Sequence, residues 1–186
     1  LVVYMDAAME MLRGQHPKKE ILPGGILYYH IDDPVLESDT PLSDEEAEQA
    51  LLFALRPDGL VNSGEEIYRA MDQNFEGKSQ MIPVEIKKNG EISTARSKVA
   101  STEEFAVITR YVEHEIRQCG EAIYAGNIAV NPYRSDIETS CTYCPYGSVC
   151  GMDAKIPGYE YRQFASMKKE EVLDQMQTEL ARNRGK

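Results

Sequence analysis

The sequence predicts an α/β fold, several helices with a small sheet, on three observations. Ser-x-x-Glu spacings stand ahead of helix-like stretches at Ser43, Ser63 and Ser101. Short runs rich in β-branched and aromatic residues are bounded by glycine and proline. At 186 residues and 42% hydrophobic, the chain can bury the core of one ordinary domain.

LVVYMDAAMEMLRG carries apolar residues at helical spacing (Leu1, Tyr4, Met5, Ala8, Leu12) and a stop at Gly14. No Ser, Thr, Asp or Asn precedes it as a cap, so it reads as a helix cut in its first turn. Two glycines introduce a strand over Ile26 to Ile31, which Asp-Asp-Pro ends. Ser43-Asp-Glu-Glu46 is a capping box: the hydroxyl serves one free amide and Glu46 reaches back, ahead of a helix through Leu55. Ser63-Gly-Glu-Glu66 repeats the device before IYRAMDQ.

MIPVEIKKNGEIS reads as a hairpin, with Asn89-Gly90 supplying the positive backbone angles of a tight turn. Ser101-Thr-Glu-Glu104 opens the longest helix, which closes at Gly126. Phe105, Ile108, Val112, Ile116, Cys119 and Ile123 recur every three or four residues, predicting one continuous buried stripe with Cys119 as plain core. Ser166 to Arg182 forms a last amphipathic helix (Met167, Leu173, Met176, Leu180), followed by a polar tail prone to fraying. The expected organisation is a domain over 1–165, including a cysteine loop at 141–150, and a terminal helix and tail over 166–186. No internal repeat or low-complexity tract occurs.

Charge narrows the function. Twenty basic residues face 31 acidic ones, giving a net charge of −11 and a pI near 4.8. Phosphate neutralisation needs clustered Lys and Arg, so this chain alone is not expected to grip nucleic acid strongly. Lys87, Lys88, Arg96 and Lys98 form a basic group, the usual composition of a solvated face. No window reaches the roughly 18 uncharged apolar residues of a membrane span. Asp6 and Glu10 interrupt the first apolar run, which therefore does not read as a signal peptide, and a cytoplasmic protein is expected.

CTYCPYGSVCGMDAKIPGYEYR holds three of the four cysteines, Cys141, Cys144 and Cys150, with gaps of two and five residues. In a loop containing Pro145, Gly147 and Gly151, such thiols are poor core material and good ligand material. A disulfide is the weaker option, because three thiols cannot all pair and cytosolic thiols stay reduced. His16, His30 and His114 lie more than twenty residues before Cys141 and form no pair at finger spacing. The pattern leans toward an iron–sulfur cluster over zinc, and spacing alone leaves both open.

NPYRSDIETSCTYCPYGSVCGMDAKIPGYEYRQF closely resembles the C-terminal end of AddB-type subunits of bacterial ATP-dependent helicase/nucleases, which process double-strand breaks for recombination. GGILYYHIDDP, LRPDGLVNS, KSQMIPVEIKKNG and STEEFAVITRYVEHEI extend the resemblance over nearly the whole chain. It implies the C-terminal portion of a PD-(D/E)XK nuclease domain, truncated at its N-terminus. It also implies a [4Fe–4S] cluster on Cys141, Cys144 and Cys150, with a fourth cysteine before Leu1, and an AddA-type helicase–nuclease as partner acting on DNA. Such nucleases carry a Gln-x-x-x-Tyr motif on a helix after the catalytic strands. Leu-Val-Val-Tyr4 resembles its end, which makes Tyr4 a possible auxiliary residue and puts the Mg²⁺-binding Asp and Asp-x-Lys pair upstream.

Pro57-Asp58 and Glu85-Ile-Lys87 imitate the PD…ExK signature, in which two carboxylates hold Mg²⁺ and a lysine positions the attacking water. Pro57-Asp58-Gly59 is equally a turn, and Glu85 and Lys87 equally same-face strand residues. The resemblance aligns both segments after the family's catalytic motif, so no catalytic residue is expected in this chain. Two other readings stand beside it: a self-contained nuclease using Asp58, Glu85 and Lys87, and a noncatalytic zinc-binding interaction module with Cys119 as fourth ligand.

Overall fold

A computed structural model describes residues 1–31, 33–73, 75–136 and 138–183. Asp32 of the strand terminator, Asn74, Ile137 and tail residues 184–186 lie outside the described residues. The chain divides into two compact units, Leu1–Val112 and Glu113–Lys186.

The first unit is organised around β2 (Asp58–Asn62), which pairs antiparallel with β1 (Gly25–Tyr28) and parallel with β3 (Val99–Ala100). The sheet buries Val61 and Val99 against Tyr68, Phe75, Ile82, Val84 and Ile86, with Leu27 and Ile92 packed alongside. Tyr68 and Phe75 meet edge to face, centroids 6.2 Å apart. The strand expected over Ile26 to Ile31 is shorter and earlier, because only Gly25–Tyr28 have partners on β2. Gly59 has φ +146°, and a Cβ there would be driven into the Ile26 carbonyl, so β1 can lie this close only against glycine.

Helix α1 (Val2–Gln15) runs through Gly14 and stops at His16 instead, the residue before Pro17, where the helical region is sterically disfavoured. Helix α2 (Asp44–Ala54) starts as expected: the Ser43 and Glu46 side chains cap each other's backbone amides. The bond donated by the Ser43 backbone amide, and after it one donated by the Ser43 hydroxyl (2.8 Å), hold the Glu46 carboxyl below the usual range. Helix α3 (Glu65–Met71) does not repeat the box. Gly64 is its N-cap without a side-chain cap, and the Ser63 amide is spent on the Ala100 carbonyl.

The NG hairpin is reduced to one isolated bridge, Ile86–Ile92, while Lys78 bridges Glu85 from outside it. Its turn differs too: Gly90 N–H donates to Lys87 and Lys87 N–H to Glu91, while Gly90 alone has positive φ (+85°). That is a three-residue loop ending in a left-handed glycine, not a two-residue turn.

Helix α4 (Thr102–Tyr124) has the expected Ser101–Glu104 box and ends with Gly126 and Asn127 amides capping Ile123 and Ala122. The buried stripe is corrected. Phe105 and Val107 are buried, whereas Ile116 is 54% and Ile123 77% exposed, and Cys119 is exposed rather than core. Periodicity marks an apolar face but not what covers it. In the second unit, β4 (Tyr133–Arg134) pairs parallel with β5 (Arg162–Gln163), and a single turn, α5 (Gly147–Cys150), lies between them. Helix α6 (Lys169–Asn183) begins three residues later than expected; Glu171 accepts from Lys168 N–H, and Leu173 is its buried residue.

Asn62, 1% exposed, ends β2 with every side-chain function in use. Its amide donates to the Pro23 carbonyl (2.8 Å) and Thr102 Oγ1 (3.0 Å), and its carbonyl accepts from Gly64 N–H (2.9 Å). Truncating it strands buried groups on three segments. Asn62→Ala is expected to cost about 3 kcal/mol in urea unfolding. A loss below about 0.5 kcal/mol, the range of an ordinary surface substitution, would refute the role assigned to it.

Candidate functional site

The cysteine loop is closed at its base by β4 and β5. Arg162 N–H donates to the Pro132 carbonyl (2.9 Å) and Phe164 N–H to that of Arg134 (2.8 Å), while Phe164 packs edge to face on Tyr133 at 5.5 Å. Above this clasp the chain turns in short hydrogen-bonded steps. Cys144 N–H donates to the Cys141 carbonyl, and Cys150 N–H to that of Tyr146. Cys141 and Cys150 are half-buried and Cys144 is exposed. Among the described residues, no three His, Cys, Asp or Glu side chains are grouped to hold a metal ion. The fold places the three cysteines in one loop.

Tyr161, next to β5, lies against this loop. Its ring sits under the Arg134 guanidinium, 4.5 Å from the centroid. The neighbouring Cys141 thiol keeps the phenol above the usual tyrosine range, and the Thr139 hydroxyl accepts from Cys141 N–H (3.3 Å). The histidines are elsewhere: His16 caps α1, His30 is exposed, and His114 bonds Gln118 one turn along α4.

The carboxylates of the PD…ExK imitation are engaged by cations. Asp58 opens β2 and takes Lys98 Nζ at 2.7 Å on each oxygen; Glu85 pairs with Arg96 at 2.9 Å, and Lys87 lies 3.9 Å from Glu91. Three of the four members of the basic group are therefore balanced by acids. Tyr4 stands 79% exposed on α1, at a groove of about 430 Å³ shared with Met5, Leu12, Leu22 and Leu27.

The profile of the PD-(D/E)XK nuclease superfamily matches residues 1–151. The chain belongs to this superfamily. It is similar to the B subunit of the ATP-dependent helicase/deoxyribonuclease of Thermoanaerobacter sp. (strain X514), 37% identical over 97% of this chain and 15% of that protein. Proteins of the same name from Lachnoclostridium phytofermentans and Clostridium botulinum are each 37% identical, over 96% and 97% of this chain and 16% of their own length. The chain thus spans about 15% of the length of the curated relatives it matches.

For a PD-(D/E)XK nuclease, the donor chemistry divides in two. Mg²⁺ is hard and takes carboxylate oxygens and water; three thiols are a soft donor set, the chemistry of iron–sulfur or zinc. Sequence reasoning missed Asn62 and Tyr161. Nothing in composition or periodicity marks Tyr161, because its link to Cys141 depends on the pairing of two-residue strands.

The Asp58 carboxyl lies below the usual range, through the Lys98 hydrogen bond first, with the Gly59 amide and the Lys98 and Arg56 charges assisting against desolvation. Its stabilisation is present above the unfolded-state value of about 4 and is lost as pH falls through the lower folded-state value. Both partners are solvent-exposed, so Asp58→Asn should cost no more than about 1 kcal/mol at pH 7. That gap should begin to narrow near pH 4 and close only once pH falls below the lower folded-state value, where the native carboxylate is itself protonated; a gap independent of pH contradicts the ion-pair account.

Proposed function

We propose that this chain is the C-terminal part of the nuclease domain of an AddB-type subunit in a bacterial ATP-dependent helicase/deoxyribonuclease. The observation that carries the reading is the 37% identity maintained over 97% of the chain. The intact protein hydrolyses phosphodiester bonds of one DNA strand with Mg²⁺ while the complex unwinds the duplex. It works in the cytoplasm with an AddA-type helicase–nuclease, processing double-strand breaks for recombination.

In this reading the Mg²⁺-binding carboxylates come from sequence ahead of Leu1. The engagement of Asp58 by Lys98 and of Glu85 by Arg96 supports that placement, since a metal would have to displace both cations. Tyr4 contributes to the rim of the active site, consistent with its exposure beside the α1 groove. Cys141, Cys144 and Cys150 hold three irons of a [4Fe–4S] cluster, whose fourth thiolate comes from outside this chain. When bound, the cluster supplies a crosslink between the end of the nuclease domain and its beginning. The chain's own part is to present three thiols on one loop held shut by β4 and β5. With the fourth thiolate upstream, this reading does not call on Cys119, which is exposed on α4.

Anaerobic purification of this chain and of one extended upstream through the next cysteine, with iron, sulfide and zinc analysis, tests the reading. About four irons and four sulfides are expected on the extended chain only. One stoichiometric zinc on the shorter chain, lost in Cys119→Ala, would instead favour the interaction module. Mg²⁺-dependent cleavage of DNA by the shorter chain, abolished by Asp58→Ala, would overturn the upstream placement of catalysis.

A further inference from the structure

We propose that a basic cleft beside the Asn89-Gly90 loop holds backbone phosphates of the DNA strand, with Lys88 as a direct contact to them. This rests on the nuclease reading above and adds to it a place on this chain where substrate is gripped. Lys88 is the member of the basic group that no carboxylate balances among the described residues. Together with Arg69 and Lys87 it lines a cleft of about 580 Å³, to which Glu76 adds a carboxylate. Three cations against one acid run counter to a chain whose net charge is −11, and such a local excess attracts phosphate.

The cleft is cut into packed structure, since Phe75 and Ile86, both core residues, form part of its lining. Arg69 is held in place there: Nη1 donates to the Phe75 carbonyl (3.1 Å), and the guanidinium lies 5.1 Å from the Phe75 ring centroid and 5.7 Å from that of Tyr68. A guanidinium fixed in this way, with N–H groups to spare, loses little further freedom on meeting phosphate oxygens. Its pair with Glu65 and that of Lys87 with Glu91 are each 3.9 Å long, on carboxylates 73% and 70% exposed, the weak class that a phosphate can displace. Gly77 and Gly90 also line the cleft, at φ +74° and +85°, with no atom within 4 Å of where a Cβ would stand, so the main chain is open to a close-lying strand. The cleft is several times larger than one phosphate group, which favours a length of strand over a lone anion. Contacts of this kind position a strand without reading its sequence, and they act alike in the ground state and the transition state.

The test is cleavage of a short single-stranded oligonucleotide by the intact protein, with Mg²⁺ and without ATP, followed through KM, kcat and their salt dependence. Lys88→Ala is expected to raise KM several-fold at about 0.1 M salt, to leave kcat unchanged, and to flatten the plot of log KM against log salt by roughly 0.7, the slope of one lost phosphate contact on a single strand. Lys88→Arg should restore the native values. Lys18→Ala, at an exposed lysine outside the cleft, is the control and should change neither KM nor slope. Native KM and salt slope in Lys88→Ala, or an equal change in Lys18→Ala, overturns the inference and leaves the nuclease reading standing. Competition by inorganic phosphate at constant ionic strength, seen with the native protein and lost in Lys88→Ala, would assign the cleft to the free anion and overturns it too. A native intact protein that does not cut DNA with Mg²⁺ overturns both.

Discussion

The amide of Asn62 is the constraint on which the first unit depends. It sits where water does not reach, at the end of the central strand, and joins the segment leading into β1, the N-cap of α3 and the first turn of α4. Only a primary amide suits all three. Aspartate cannot donate to the Pro23 carbonyl, and leucine leaves that carbonyl and the Gly64 amide unmet in a dry interior. The backbone of the same residue adds a fourth tie, its N–H donating to the Gly24 carbonyl. The sheet therefore fixes the starts of two helices through one side chain.

A second buried knot supports the loop from Ser79 to Ile86. Ser79, 0% exposed, donates to Asp72 (2.7 Å) and accepts from the amides of Met81 and Ile82, while Arg56 reaches in to the Ser79 carbonyl (2.9 Å). These bonds let a segment with only isolated bridges place Ile82, Val84 and Ile86 in the core without a regular ladder. They also set the surroundings of Glu85, whose backbone amide and carbonyl are both held by Ser97. Its side chain meets Arg96 outside the core, just as Asp58 meets Lys98. Motif spacing alone suggested a pair of metal ligands; the neighbouring cations come from residues 96–98, which the motif does not include.

How much of this was legible depended on the range of the forces. The boxes at Ser43 and Ser101 were readable because a capping box is a four-residue interaction, complete in local sequence. Ser63 has the same spacing and fails, because sheet pairing claims its backbone and puts Gly64 at the cap. Tertiary pairing outranks a cap worth about 1 kcal/mol. Of the α4 stripe only Phe105 is buried, while Val107, off the stripe, is buried too, since burial belongs to the partner and not to the period. Cys141, Cys144 and Cys150 were legible as a group from spacing, yet the clasp beneath them rests on strands of two residues, too short for any period to register.

The energetics of the cysteine loop follow from the same distinction between local and distant contacts. Linking three thiols within ten residues closes short loops, which restrict an unfolded chain less than long ones, by about 0.6 kcal/mol for each doubling of length. The β4–β5 clasp already closes the loop from Arg134 to Arg162. Three ligands alone would thus duplicate a constraint the fold has in place. The proposed fourth thiolate from upstream would change the case, since it would close a loop longer than the stretch from Leu1 to Cys141, the class of crosslink worth several kcal/mol. In the proposed cluster the stabilising value lies with the distant ligand, and the local three serve to bind the metal tightly enough for that ligand to be held.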